Sequence, residues 1–84
     1  MVATQQLRAG ADVIGSQGER LGTVELVRTD GVSGQPTSFV IKSGFWIFGK
    51  HKMLSTDTVA EITDDRIVVG MTKHEFRGIP ELDL

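Results

Sequence analysis

The sequence predicts an all-β domain: a small, partly open β-barrel of five to six short antiparallel strands, with a short C-terminal flap or helical turn. Short apolar segments alternate with clusters of turn residues along the 84 residues, and no stretch of ten residues has the apolar period of an amphipathic helix. A chain of this length has room for one core. We therefore expect a single domain over residues 1–84, with a core at about residues 7–82 and a loose N-terminal arm at residues 1–6.

Turn residues delimit the first strands. An apolar segment at residues 11–14 ends at a Gly-Ser-Gln-Gly turn, and residues 21–29 are rich in the β-branched residues that strands favour. Because side chains alternate between the two faces of a strand, we expect Val24 and Leu26 to share the more apolar face. A loop at residues 30–36, which contains Asp30-Gly31 and Pro36, then turns the chain back as a hairpin.

The second half of the chain continues the pattern. Residues 37–43 alternate again, with Phe39 and Ile41 on one face, and the apolar residues 45–48 lead into the next strand. A clearer strand follows at residues 66–69, after an acidic turn. Gly78 and Pro80 interrupt the last apolar segment, so any helix within residues 72–84 must be short, and we expect it to pack as a flap over the barrel.

The composition narrows the class of function. Nine Lys and Arg residues against eleven Asp and Glu residues give a net charge of −2, and neither sign forms a long run. We therefore expect no general electrostatic attraction to the phosphate backbone of nucleic acids. The chain has no cysteine, which excludes disulfides and thiolate metal sites and fits a reducing cytoplasm. No stretch approaches the roughly 18 apolar residues of a membrane span. We expect a cytoplasmic protein without membrane insertion.

Side chains with the spacing of a catalytic, cofactor-binding or metal site are missing from the sequence. Gly44 and Gly49 followed by Lys50 imitate a phosphate-binding loop, but that loop requires Ser or Thr after the lysine, where this chain has His51. His51 and His74 are the only histidines, and neither has neighbouring ligands at metal-binding spacing. We therefore expect no enzyme activity, no cofactor and no bound metal.

Several segments resemble the PRC-barrel family. They are residues 11–15 (Ala-Asp-Val-Ile-Gly), residues 18–24 (Gly-Glu-Arg-Leu-Gly-Thr-Val), residues 30–31 (Asp-Gly), residues 39–41 (Phe-Val-Ile) and residues 64–69 (Asp-Asp-Arg-Ile-Val-Val). The likeness runs from about Leu7 to Leu82. One segment departs from the family pattern, because Leu54-Ser55 stands where an aliphatic residue and a proline often occur. Members of this family dock onto other proteins, so the resemblance implies a stand-alone adaptor rather than an enzyme.

The most apolar stretch of the chain, which we call the aromatic run, consists of Phe45, Trp46, Ile47 and Phe48. If it is a strand, only one of its two alternating pairs of side chains can face the core. Either the C-terminal flap covers the other pair, through Phe76, Ile79 and Leu82, or another protein chain does.

We predict a non-enzymatic protein-binding adaptor of the PRC-barrel type, whose contact surface is the aromatic run together with its basic flank, Lys50 and Lys52. The partner is a protein of unknown identity. A second copy of the chain, in a homodimer, or a foreign protein could equally cover this surface. The alternative is an RNA- or ribosome-associated accessory protein. In that case Lys50, Lys52 and Trp46 contact RNA, or the chain docks onto a ribosomal protein.

Overall fold

Six strands and one short helix make up the part of the fold that the structure describes. The computed structural model describes residues 7–43, 50–63 and 65–82. The predicted N-terminal arm at residues 1–6 and the whole aromatic run lie outside these ranges. The elements are β1 (Asp12–Ile14), β2 (Arg20–Thr29), β3 (Pro36–Ser43), β4 (Lys50–Ser55), β5 (Val59–Ile62), β6 (Arg66–Val69) and α1 (Lys73–Arg77), and a 3-10 turn at Thr56–Thr58 separates β4 from β5. Within the described ranges, no helix has the length and apolar character needed to cross a membrane.

The strands form one sheet in the order β4-β3-β2-β1-β6-β5. Four of the five neighbouring pairs are antiparallel, as the sequence predicts, whereas β1 and β6 run parallel. The parallel pair arises because the chain crosses from β4, at one edge of the sheet, to β5 at the other edge, and the β5–β6 hairpin then adds to the free side of β1. The all-β prediction is confirmed, with this one difference in strand direction.

The sheet curls around a single apolar core. Phe39 on β3 and Ile67 on β6 are both fully buried in the same cluster, although β2 and β1 lie between their strands, so the sheet must bend to bring them together. Phe76 of α1 is buried in this cluster and Ile79 packs against it, which confirms the predicted flap. The cluster comprises Leu7, Ala11, Val13, Leu21, Val24, Phe39, Ile41, Leu54, Ile67, Val69 and Phe76.

A β-bulge divides β2 into two parts with opposite side-chain parity. Val24 pairs with Ile41 and Leu26 pairs with Val40, so Glu25 is the extra residue. Val24 therefore faces the core, whereas Leu26 points to the other side of the sheet and is 54% exposed. The expectation that Val24 and Leu26 share one face is wrong, because one inserted residue reverses the alternation of every side chain after it.

Helix α1 is short for reasons that lie in its own sequence. The Thr72 hydroxyl accepts a hydrogen bond from the Glu75 N–H (3.1 Å), and the Glu75 carboxylate accepts one from the Thr72 N–H (2.9 Å). This capping box starts the helix. Gly78 ends it after five residues, ahead of Pro80, so the predicted short helix is confirmed.

Candidate functional site

The predicted contact surface falls at the end of the β3–β4 hairpin. Ser43 and Lys50 are the last paired residues of these strands, and residues 44–49 join them. Phe45, Trp46, Ile47 and Phe48 lie outside the described residues. The two predicted basic residues, Lys50 and Lys52, are both on β4 and can be placed.

Lys50 is exposed at this end of the sheet, in contact with the C-terminal segment. Its ammonium nitrogen lies 3.3 Å from the Glu81 carboxylate, and the Lys50 side chain is 63% exposed. The next residue along, Leu82, donates its backbone N–H to the His51 carbonyl oxygen at 2.7 Å. The segment after α1 therefore lies against the outer edge of β4, where it contributes one backbone hydrogen bond and one carboxylate.

Lys52 occupies a different setting from the exposed flank that the sequence predicts. It is only 6% exposed, because it pairs with Ile41 on the inner face of the sheet. Its Nζ donates hydrogen bonds to the carbonyl oxygens of Phe76 (2.9 Å) and Arg77 (3.2 Å), and lies 4.8 Å from the centre of the Phe76 ring. The ammonium thus satisfies carbonyls at the C-terminus of α1 and joins the helix to the sheet.

The buried ammonium of Lys52 is held by backbone groups of α1. Among the described residues, no carboxylate lies within ion-pair distance of its Nζ. Two carbonyl oxygens and an aromatic face replace part of its hydration, and such charge-assisted hydrogen bonds are stronger than neutral ones. Lys50 is therefore the exposed lysine of the predicted basic flank, and Lys52 is its buried one.

A cleft of about 370 Å³ lies between the end of the β3–β4 hairpin and α1. We call it the cationic cleft. It is lined by Leu21, Ser43, Lys50, Lys52, Lys73, Phe76, Arg77 and Glu81. The described residues of this lining carry four cationic side chains and one carboxylate, an excess of three positive charges, in a chain whose net charge is −2. Positive charge is therefore concentrated at one end of the molecule.

The lining of the cationic cleft combines apolar and mostly cationic side chains. The buried side chains of Leu21 and Phe76 supply the apolar part of the lining, and the polar groups are ammonium, guanidinium, hydroxyl and one carboxylate. Within the part of the chain that the structure describes, no group of three or more His, Asp or Glu side chains is arranged to hold a metal ion. Sequence reasoning missed this cleft, because Lys73, Arg77 and Glu81 lie far along the chain from Lys50.

A second surface lies on the opposite side of the sheet. Leu26, Val40 and Met53 are directly opposite one another across β2, β3 and β4, on the face turned away from the core. We call this row the outer strip. Leu26 is 54% exposed and Met53 is 38% exposed, whereas Val40 between them is buried. Arg28 borders the strip, with a guanidinium nitrogen 4.0 Å from the Met53 sulfur.

The fold and these two surfaces can be compared with known proteins. A model of the PRC-barrel domain matches residues 9–74. The chain belongs to the PRC-barrel family. The resemblance seen in the sequence is therefore confirmed, and PRC-barrel domains often occur in protein-interaction contexts. No curated protein matches the chain.

The PRC-barrel match covers the six strands and ends within α1. Lys50, Lys52 and Lys73 lie inside the matched region, whereas Arg77 and Glu81 lie beyond it. The cationic cleft is thus built partly from matched residues and partly from a C-terminal segment beyond the matched region.

Proposed function

We propose that this PRC-barrel chain is a non-enzymatic adaptor that binds another protein in the cytoplasm, with a homodimer as one form of that association. The observation that carries the proposal is the outer strip. An antiparallel sheet with one face in water usually presents polar side chains there, whereas this sheet exposes Leu26 and Met53 on either side of the buried Val40. The absence of cysteine supports the cytoplasmic location.

The exposure of the strip gives the reason for a partner. Leu26 retains about half of its surface in water, and covering the remainder of a leucine side chain contributes on the order of 1 kcal/mol. Met53 adds a flexible, polarisable side chain of the kind that adapts to irregular partner surfaces. Arg28 at its border provides a group that can pair with a carboxylate of the partner, as arginine often does at interfaces.

The aromatic run remains a second proposed contact, on the strength of its composition. Phe45, Trp46 and Phe48 are aromatic residues, a type that is enriched at protein interfaces. Together with Ile47 they form a run that begins two residues after the end of β3. Lys50, at the base of this connection, supplies the exposed part of its basic flank. Family membership supports the same proposal, because PRC-barrel domains occur in protein-interaction contexts.

Site-specific photo-crosslinking in growing cells tests the proposal. A photoreactive amino acid in place of Arg28 borders the strip and leaves Leu26 and Met53 intact, and the same amino acid in place of Val32 is the control. Val32 is 97% exposed on the β2–β3 loop, away from the strip. We expect a discrete protein adduct from position 28 only, and we expect Leu26→Glu to remove it while the far-ultraviolet circular dichroism stays unchanged.

The mass of the adduct identifies the class of partner. An adduct of twice the chain mass means a homodimer, which sedimentation equilibrium would confirm, and a larger discrete adduct means a foreign protein. Equal labelling from positions 28 and 32, or an adduct that survives Leu26→Glu, would contradict the role of the outer strip. An adduct that ribonuclease digests would contradict the protein partner and favour RNA.

A further inference from the structure

We propose that the cationic cleft is a second binding site, which takes an acidic peptide segment in an extended conformation, and that Glu81 and Leu82 occupy part of this site in the free protein. The cleft lies at the inner side of the sheet, next to α1, whereas the outer strip lies on the opposite face. The inference therefore goes beyond the proposed function and does not depend on what the outer strip binds.

The charges in the cleft define the ligand as an anion. Lys73 and Arg77 are four residues apart in α1, so their side chains emerge on the same side of the helix and repel each other. Both line the cleft beside Lys50 and the buried Lys52. Among the residues that the structure describes, Glu81 supplies the one carboxylate of this lining. A further anion in the cleft relieves the repulsion along α1 and neutralises part of the excess positive charge.

Lys52 distinguishes this site from a chance group of surface lysines, because its side chain is buried and fixed in place. The Lys52 residue is only 6% exposed, and two backbone carbonyl oxygens hold its ammonium, at 2.9 and 3.2 Å. A lysine ammonium has three donors, so one remains after these two bonds. Unlike an exposed lysine, Lys52 loses little side-chain freedom when an anion approaches, because its side chain is already fixed.

The C-terminal segment shows how a peptide fits this site. Glu81 places a carboxylate 3.3 Å from the Lys50 ammonium, and the adjoining Leu82 N–H bonds to the His51 carbonyl at the edge of β4. One extended segment thus makes both a backbone bond to the strand edge and an ion pair, which is the pattern of strand addition. Residues two apart direct their backbone groups to the same edge, so the N–H and C=O of Met53 continue the row that His51 begins.

A peptide fits better than a single-stranded nucleic acid. Base stacking needs an exposed aromatic face, and among residues 7–43, 50–63 and 65–82 the phenylalanines are buried. The Phe76 ring, which lies in the cleft lining, already has the Lys52 ammonium over its face. The group that occupies the cleft edge in the free protein is a carboxylate on a peptide backbone, and this is the chemistry that the proposal assigns to the partner.

Titration of the full chain with an acetylated and amidated hexaglutamate peptide, followed by backbone amide NMR, tests the site. The uncharged hexaglutamine peptide is the matched control. We expect saturable shifts at His51, Met53 and Lys73 with hexaglutamate, weakened by added salt, and none with hexaglutamine. Lys73→Gln with Arg77→Gln should weaken binding about three- to tenfold, whereas Arg20→Gln with Arg66→Gln, which removes the same charge outside the cleft, should not.

Glu81→Gln provides the decisive variant. It removes the internal carboxylate from Lys50, so hexaglutamate binding should tighten about two- to fivefold, the range expected for an exposed ion pair. Unchanged or weaker binding would overturn the occupancy by Glu81. Phosphate or a hexauridine strand that shifts the same amides at equal or lower concentration than hexaglutamate would overturn the peptide assignment. Leu26→Glu changes the outer strip and not the cleft lining. This variant should therefore bind hexaglutamate as the wild type does, even if it loses the protein crosslink.

Discussion

Replacing Lys52 by methionine tests whether a buried ammonium joins α1 to the barrel. The substitution keeps most of the length of the side chain and removes its two hydrogen bonds to the carbonyl oxygens of Phe76 and Arg77. A hydrogen bond to a charged group contributes about 1.5–3 kcal/mol, which sets an upper limit for each. The net loss is smaller, because both carbonyl oxygens can keep another hydrogen-bond partner. The Phe76 carbonyl also accepts the Ile79 N–H at 3.1 Å, and the exposed Arg77 leaves its carbonyl within reach of water. Methionine also removes the cost of burying a charge.

We therefore expect Lys52→Met to lower the free energy of unfolding by about 1–2 kcal/mol, and Lys52→Glu to lower it by about 3–5 kcal/mol, because a buried carboxylate would face two carbonyl oxygens. Domains of this size rarely have more than about 5 kcal/mol of stability, so the glutamate variant should keep at most about 2 kcal/mol and unfold at low urea concentration.

Urea denaturation measures the effect. With a slope near 1 kcal/mol per molar urea, the lower end for small proteins, Lys52→Met should lower the midpoint by about 1–2 M. Lys50→Met is the matched control, since it removes an exposed ion pair two residues away and should cost less than about 1 kcal/mol. A midpoint for Lys52→Met equal to that of the wild type, or an equal loss from both variants, would refute the reasoning.

Two further predictions concern the barrel itself. A methyl group at Gly22 would overlap the carbonyl oxygen of Lys42 on the neighbouring strand. Gly22→Ala should therefore lower the free energy of unfolding by about 2–3 kcal/mol and the Tm by roughly 8–20 °C. An unchanged Tm would contradict the close approach of β2 and β3 at Gly22. The pKa of Asp30 is lowered from 3.8 by the Val32 N–H and the Ser33 hydroxyl, so its ionised form stabilises the fold above that pH and this contribution is lost as the pH falls below it. In urea unfolding, the wild type should exceed Asp30→Asn in stability by more near neutral pH than at about pH 2. A difference in stability that does not change with pH would contradict the stabilising role of the Asp30 carboxylate.

The sequence predicts the elements of this fold better than their orientation. Local signals were enough for the strand at Arg66–Val69 and for the short helix, because β-branched residues, caps and breakers act within a few positions. The bulge at Glu25 is different. It depends on which residue of β3 lies opposite Val24, and a strand read alone cannot reveal that pairing. The exposure of Leu26, and with it the outer strip, follows from this non-local feature.

The same limit explains the candidate site. Lys50 and Lys52 have the same chemistry and the same strand parity, yet one is exposed and the other is 6% exposed. Their difference comes from α1, which packs over Lys52 and provides two carbonyl oxygens, and from Glu81, which reaches Lys50. These contacts join positions that are far apart in the chain, so no local pattern could indicate that the two lysines have separate roles.

The parallel pairing of β1 with β6 joins an early strand to the last strand of the barrel, so the sheet cannot be completed until β6 has been synthesised. Asp12 aligns with Arg66 and Ile14 with Val68, so β1 has no partner on one side until nearly the whole barrel has been translated. The β2–β3–β4 meander can form earlier from hairpins, but closing the loop between β1 and β6 costs chain entropy before any contact compensates for it. The barrel should therefore complete its folding after the last strand leaves the ribosome, with the β1 edge as the surface that is open to wrong pairing until then.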